Sequence, residues 1–182
     1  MRDILVTVII LGSLPFILKA PSIGCLMWVW VSVMNPHTQG WGFATHMPFA
    51  FIIAVATVLG LVMTREPKSL PLTPVSVLLL LFVAWMNVTA PFALLPESSW
   101  EQWNKVMKIM LMTFVVMMVI RTRRDIVRLV WVLVGSIGYY GVKGGIFTIR
   151  SGGTERVWGP EDTFIGDNNS LALALIITIP LM

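Results

Sequence analysis

The chain has 182 residues, of which 57% are hydrophobic and 12% are charged, and its formal net charge is +4. A water-soluble domain carries about 25% charged residues, so the composition excludes an ordinary soluble domain and predicts a helical membrane protein. The basic residues lie at the ends of apolar runs and form no continuous basic face, which argues against a nucleic-acid partner.

Seven apolar runs follow one another along the chain. They cover residues 4–18, 23–34, 47–63, 74–88, 106–120, 126–140 and 171–182. This pattern predicts an all-α fold, a polytopic integral membrane helical bundle with six or seven spans. The seventh run is still short of the roughly 20 residues that a span needs, so we expect the chain to be the N-terminal fragment of a longer protein.

The distribution of basic residues predicts the orientation of these spans. Four arginines surround the turn between the fifth and sixth runs, which places that turn in the cytoplasm; they are Arg121, Arg123, Arg124 and Arg128. Alternation then places residues 35–46, 89–102 and 141–169 outside. At the N-terminus two arrangements remain open. Residues 4–34 cross once as a broken helix with Arg2 inside, or they form two short spans with Arg2 outside and Lys19 inside.

Residues 141–170 form the long polar segment of the chain and the candidate site. We expect a transmembrane region over residues 1–140, a periplasmic loop over 141–170, and the start of a further, truncated domain at 171–182. The loop contains Lys143, Arg150 and Arg156. Together with the N–H groups of two glycine pairs, 144–145 and 152–153, these cations can hold a phosphate or diphosphate.

The alternative is that the arginines of this segment only order it, by pairing with acids nearby; these are Glu155, Glu161 and Asp162. Charge alone does not separate the two interpretations. The glycines around Tyr140 recur at every third residue, at positions 135, 138, 141 and 144. This spacing indicates close helix packing, and we expect the glycines past Tyr140 to loosen the end of that helix.

The sequence contains none of the motifs that hold a nucleotide or a metal ion. Residues 141–145 do not lead into a helix with the lysine and hydroxyl of a phosphate-binding loop. His37 and His46 lie in one loop without a carboxylate neighbour, so they do not indicate a metal site. We therefore expect no cofactor.

Two groups of residues resemble one known family. The stretch from Arg156 through Gly159-Pro160 to Asp167-Asn168-Asn169, followed by leucines and alanines, resembles the entry to the core domain of the O-antigen ligase and polymerase superfamily. The segments 35–37 (Asn-Pro-His) and 40–44 (Gly-Trp-Gly-Phe-Ala) are similar to its exosortase-A-associated branch, the O-glycosylation ligases. The resemblance covers essentially the whole chain.

The resemblance implies an inner-membrane glycosyltransferase that works without metal or nucleotide. Such an enzyme takes a glycan from a polyprenyl-diphosphate carrier and passes it to an acceptor hydroxyl on the periplasmic face. Arg156 stands at the position of the family's arginine and would bind the donor diphosphate, with Arg150 and Lys143 as weaker candidates. The family's base is sought in a later loop, and the local substitutes here are His37, Glu155 and Asp167.

Three partners follow from this assignment: the lipid-linked glycan, its acceptor, and membrane lipid. Two alternatives stay open. One is a polysaccharide polymerase of the same superfamily, which differs in its acceptor. The other is a non-catalytic membrane or transport subunit, which would tolerate removal of the charges in the polar loop.

Overall fold

A computed structural model describes residues 2–40, 42–64, 69–160 and 163–182. Within these ranges every regular element is helical, which confirms the all-α prediction for this part of the chain. The α-helices are α1 (Arg2–Lys19), α2 (Pro21–Met34), α3 (Phe49–Met63), α4 (Pro74–Thr89), α5 (Pro96–Val119), α6 (Arg123–Arg150) and α7 (Asn168–Thr178). Short 3₁₀ turns lie at Phe43–His46, Ala90–Phe92 and Ile179–Leu181.

Among the described residues, two helical stretches are long and apolar enough to cross a membrane, Pro74–Phe92 and Arg123–Arg150. The number of spans predicted from the sequence is larger, and it stays a prediction. The chain divides into two compact units. Residues up to Thr64 together with Thr122–Met182 form the first unit, and Arg65–Arg121 form the second.

In the first unit, α1 and α2 are separate, antiparallel helices. Ala20 has an extended backbone between them (φ −140°, ψ 94°), and Pro21 begins α2 because proline suits the first position of a helix. The Asp3 carboxylate at the start of α1 lies against Gly40 and Gly42, just beyond the end of α2. The chain therefore has two separate helices here and not one broken helix, with Arg2 and Lys19 at opposite ends of α1. Their crossing of a membrane and their orientation stay predictions.

Helix α3 packs against both of these helices through small residues. Gly60 of α3 approaches the backbone of α1 so closely that an added Cβ would lie 2.7 Å from the carbonyl oxygen of Ile17. Gly24 of α2 meets Thr57 of α3 in the same way, and Thr57 donates its hydroxyl to the Ile53 carbonyl at 2.7 Å. Small residues allow helix backbones to approach in the absence of a hydrophobic driving force.

Helix α6 is longer than the sequence predicted. The apolar run ends at Tyr140, but the helix continues to Arg150, so the first ten residues of the predicted polar loop are helical. The glycines do not loosen this end, because they pack: a Cβ on Gly141 would lie 2.9 Å from Leu175 Cδ2, and one on Gly144 would lie 2.7 Å from Val157 Cγ1. Tertiary contact here overrides the low helix propensity of glycine.

The second unit is formed by α4 and α5, joined by the turn at Ala90–Phe92. A capping box starts α4, in which the Thr73 hydroxyl accepts from the Ser76 N–H and the Ser76 hydroxyl accepts from the Thr73 N–H. In α5, Lys105 pairs with Glu101 at 2.8 Å, as the spacing of these two residues on one helix face predicts. Helix α4 exposes most of its apolar side chains, whereas most of those of α5 are partly buried, and Met112 and Val115 are buried.

Candidate functional site

A cleft of about 270 Å³ lies between α6 and α7 at the end where the polar segment begins. Its lining is mostly apolar, with Thr148 and Asn168 as polar residues. The lining residues are Tyr140, Gly141, Gly144, Gly145, Thr148, Val157, Asn168, Leu171, Ala172 and Leu175. The glycine face of α6 makes this cleft, because three of its positions present no side chain to α7.

The Gly-Pro segment, defined as residues 157–160 and 163–167, closes one side of the cleft. The Gly159 N–H donates to the Gly166 carbonyl at 3.0 Å, and Gly159 lies so close to the Ile165 carbonyl that no side chain fits there. Pro160 is buried, and Ile165 is buried in one cluster with Tyr140 and Leu171. This motif therefore folds into a packed loop on α6 and α7.

None of the three predicted cations lines the cleft, although two of them adjoin lining residues in the sequence. Arg156 precedes Val157, and Lys143 precedes Gly144. At 3.6 residues per turn, Lys143 lies on the face of α6 opposite Gly141 and Gly145. Arg150 lies two helical turns beyond Lys143, about 10 Å along the axis. All three side chains are exposed, and Arg156 is the cation whose neighbour in the sequence packs into the cleft wall.

Neither arginine of this segment is paired with an acid in the described part of the chain. The ion pairs found there are Lys105–Glu101 and Arg128–Asp125, so the expected pair between Arg156 and Glu155 is not formed. Glu155 is exposed. Glu161 and Asp162, the other expected partners, lie outside the described residues.

The prediction that glycine N–H groups bind an anion is wrong. Gly144 and Gly145 lie inside α6, where the helix uses its own N–H groups. Gly152 and Gly153 have positive φ angles of 65° and 78°, and they cap the helix. The Gly153 N–H donates to the Thr148 carbonyl at 2.9 Å and the Gly152 N–H to the Ile149 carbonyl at 3.4 Å, as glycine commonly does at a helix end.

Asp167 is the N-cap of α7. Its Oδ1 accepts from the N–H groups of Asn169 and Ser170 at 2.9 and 3.1 Å, and its Oδ2 accepts from the Ser170 hydroxyl. These bonds, that of the Ser170 hydroxyl first, lower the pKa of Asp167. A carboxylate held in its ionised form is a weak base. It also occupies the N–H groups of Asn169 and Ser170 at the start of α7, so its arrangement favours a structural role.

His37 lies in a turn of residues 35–40 that follows α2. Asn35 ends the helix with a left-handed backbone (φ 45°), and Pro36 prevents the helix from continuing. The half-buried His37 ring meets Phe49 edge-on at 5.6 Å between centroids, and its Nδ1 is buried without a hydrogen-bond partner among the described residues. Burial lowers the pKa of His37, so the imidazole is neutral at pH 7 and can accept a proton.

Comparison with known proteins gives one match. The model of DUF5935, a family of unknown function, matches residues 1–182. The chain belongs to this family. No curated protein and no solved structure matches this DUF5935 chain.

Sequence reasoning missed the side chains that join the 35–40 turn to α6 in this DUF5935 member. The Tyr140 hydroxyl donates to the Met34 carbonyl at the end of α2, and Gln39 Nε2 donates to the Tyr140 hydroxyl at 2.9 Å. Asp3, which lies against Gly40 and Gly42, was missed as well; Trp41 between these glycines lies outside the described residues. The tyrosines at the end of the sixth run were the available signal, because a buried tyrosine hydroxyl needs a partner.

Proposed function

We propose that the protein is an inner-membrane glycan ligase that transfers a glycan from a polyprenyl-diphosphate carrier to an acceptor hydroxyl on the periplasmic face. One observation carries this proposal: Arg156 adjoins Val157, which packs on Gly144 and lines an apolar cleft. An apolar cleft with an arginine next to one of its lining residues matches a ligand that has an isoprenoid chain and a diphosphate. The resemblance to O-antigen ligases supports the same assignment.

The position of the cleft suits a lipid-linked substrate. Tyr140 is level with Met34, the last residue of α2, and ten further residues of α6 extend about 15 Å beyond this level. With α6 parallel to α2, the polar end of the cleft, at Thr148 and Asn168, lies past the end of α2. A diphosphate bound there would stay at the membrane surface, while its isoprenoid chain follows α6 and α7 toward the hydrocarbon.

In the proposed glycan transfer the leaving group is the polyprenyl diphosphate, and its stabilisation is the main chemical requirement. When the bond between the sugar and the phosphate breaks, negative charge develops on the diphosphate, and fixed cations lower the energy of that state. Arg156 suits this role because a guanidinium can contact two phosphate oxygens at once. Among the three candidate bases, His37 is the best suited, since it is neutral and its Nδ1 has no partner in the described part of the chain.

The proposed topology places the site outside the cytoplasm. In the first unit, the start of α1 and the 35–40 turn lie at one end, and Tyr140 of α6 contacts Met34 at that end. We propose that α6 runs parallel to α2, so that its Lys143 end lies beyond the end of α2. Lys19 lies at the opposite end of α1. We propose that α1–α7 are all spans, with the arginine-rich turn at Arg123 in the cytoplasm.

Labelling of single cysteines with an impermeant thiol reagent tests this topology, with Cys25 first replaced by alanine. In intact spheroplasts we expect labelling at Thr154→Cys and none at Thr122→Cys until the membrane is opened. The reverse pattern would contradict the assignment.

A transfer assay tests the activity. The full-length protein, reconstituted in liposomes with a polyprenyl-diphosphate-linked glycan and a range of acceptors, should release free polyprenyl diphosphate in step with glycan transfer. Transfer to a growing glycan in place of a protein or lipid hydroxyl would indicate the polymerase. Two results together would reject the proposed function. The wild type would release no polyprenyl diphosphate, and Arg156→Ala would bind the donor as well as the wild type does.

A further inference from the structure

One side chain, Tyr140, contacts both polar loops of the candidate site. Its hydroxyl donates to the Met34 carbonyl and accepts from Gln39 Nε2 at 2.9 Å, which attaches it to the 35–40 turn. Its ring is buried in a cluster with Ile165 and Leu171, which attaches it to the Gly-Pro segment and to α7. The two loops are more than 100 residues apart in sequence, yet both are fixed to the same residue.

The turn is held to α6 by a closed set of hydrogen bonds. Gln39 Nε2 also donates to the Met34 carbonyl at 3.1 Å, and Gln39 Oε1 accepts from the Tyr139 hydroxyl at 3.1 Å. The Met34 carbonyl belongs to the last turn of α2, where the helix itself supplies no donor. The side chains of Gln39 and Tyr140 satisfy that carbonyl, so the end of α2 and the middle of α6 are bonded to each other.

The same residue also forms part of the cleft. Tyr140 lines the end of the cleft opposite Thr148 and Asn168. A movement of its ring would shift Ile165 and therefore the loop that begins at Arg156. The hydroxyl is the part of Tyr140 that bonds to the end of α2, through the Met34 carbonyl and the Gln39 side chain.

We propose that the Tyr140 hydroxyl is a positioning group that couples the 35–40 turn to the cleft, so that the turn carrying His37 and the loop carrying Arg156 hold one fixed arrangement. The interpretation that this coupling aligns the acceptor side of the site with the donor side rests on the proposed function. The coupling itself is a property of the fold and can be tested without any ligand.

Hydrogen exchange of Tyr140→Phe tests the coupling directly. This substitution keeps the ring and removes the hydroxyl. We expect backbone exchange to become about fivefold faster in the 35–40 turn, from the lost hydrogen bonds, and also faster in the Gly-Pro segment. Exchange in α3 should be unchanged, and the thermal midpoint should stay close to that of the wild type.

Tyr139→Phe is the matched control. It removes one bond to Gln39 and leaves the bonds of Tyr140, so we expect a small effect that is confined to the 35–40 turn. If Tyr140→Phe alters only that turn, or neither segment, the coupling is refuted. Equal acceleration in α3 would show a general loss of stability and would refute it too.

Donor binding separates this proposal from the function on which it rests. Binding of undecaprenyl diphosphate to the purified full-length protein should weaken about fivefold in Tyr140→Phe, at an unchanged thermal midpoint, and little in Tyr139→Phe. If both loops respond in hydrogen exchange but the wild type binds no polyprenyl diphosphate, the coupling stands and the proposed function fails. If the wild type binds and Tyr140→Phe leaves both binding and exchange unchanged, the coupling fails and the proposed function stands.

Discussion

Helix α4, together with the 3₁₀ turn that continues it to Phe92, and helix α6 are both long and apolar enough to cross a membrane, but they differ in packing and charge. Helix α4 contains no charged residue, exposes large apolar side chains on several sides, and buries Ser76. Helix α6 buries Ser136, Ile137, Tyr140 and Gly144 along one face. It also continues past its apolar part, with Lys143 and Arg150 in that extension.

The difference shows which features indicate a site in a helical membrane protein. Apolar length indicates only that a helix can face lipid, and α4 has little beyond this. In α6, glycines remove side chains from one face, the next helix packs there, and an apolar cleft results, lined by Val157, the neighbour of Arg156. The cleft that carries the proposed activity therefore lies in the first unit, whereas α4 of the second unit exposes most of its apolar side chains.

The largest effect is expected for Arg156→Ala. Removal of a fixed positive charge from a developing diphosphate should lower transfer about 10²–10³-fold, measured per unit of folded full-length protein. Arg156→Lys should recover only part, because an ammonium keeps the charge and loses the two-pronged contact. Lys108→Ala, an exposed cation on α5 of the second unit, should leave transfer unchanged. Full specific activity of Arg156→Ala would contradict the proposed binding of the donor diphosphate by Arg156.

Truncation of one leucine in each unit comes next. Leu171 is 3% exposed and lines the cleft, whereas Leu81 on α4 is 60% exposed. We expect Leu171→Ala to destabilise the protein by about 2–3 kcal/mol and Leu81→Ala by less than about 0.5 kcal/mol. Thermal unfolding in detergent measures both. Similar losses at the two positions would mean that α4 is packed against protein and not lipid.

Neighbouring glycines of α6 offer a finer comparison. A Cβ at Gly144 would lie 2.7 Å from Val157, whereas one at Gly145 meets nothing within 4 Å. Gly144→Ala should displace Val157 and weaken polyprenyl-diphosphate binding about tenfold, at a cost of about 1–2 kcal/mol. Gly145 also lines the cleft, but its added Cβ displaces no side chain, so Gly145→Ala should weaken binding less than Gly144→Ala and gain slight stability from the better helix former. Equal binding by both variants would contradict the close contact.

The smallest effect is a pH dependence at His37. Burial lowers the pKa of His37 below its ordinary value of 6.5. The unfolded turn therefore takes up a proton at a higher pH than the folded turn, and stability falls as the pH decreases through about 6.5. After correction for the intrinsic rate, hydrogen exchange in the 35–40 turn should accelerate below this pH, and His37→Gln should abolish the dependence. A pH-independent wild type would contradict the burial of this ring.

Part of this structure follows directly from the sequence. Pro21 and the polar residues around it predicted a break after Lys19, and the small residues at Gly141 and Gly144 predicted close packing of helices. Both are found, because proline and glycine act through local geometry. The same glycines were expected to loosen the helix end. That expectation failed because the contact with Val157, which keeps the helix intact, is not visible in a local pattern.

The candidate site was predictable only in its parts. Lys143 and Arg156 were recognised as cations of one polar segment, yet only the fold shows that Arg156 adjoins a cleft-lining residue and that Lys143 lies on the opposite face of α6. Asp167 was a candidate base, and the structure uses it as a helix cap. The bonds of Tyr140 with Gln39 and Met34 join segments more than 100 residues apart, and no spacing rule along the chain relates such residues.

Photo-crosslinking with a polyprenyl diphosphate that carries a photoreactive group near its first isoprene unit tests the central claim most directly. The full-length protein should be labelled at the cleft residues of α6 and α7, among them Gly145, Ala172 and Leu175. An excess of unmodified polyprenyl diphosphate should compete for this labelling, and Arg156→Ala should reduce it. Labelling that is spread along α4 and α5, without competition and without dependence on Arg156, would contradict the assignment of the donor site to the α6–α7 cleft.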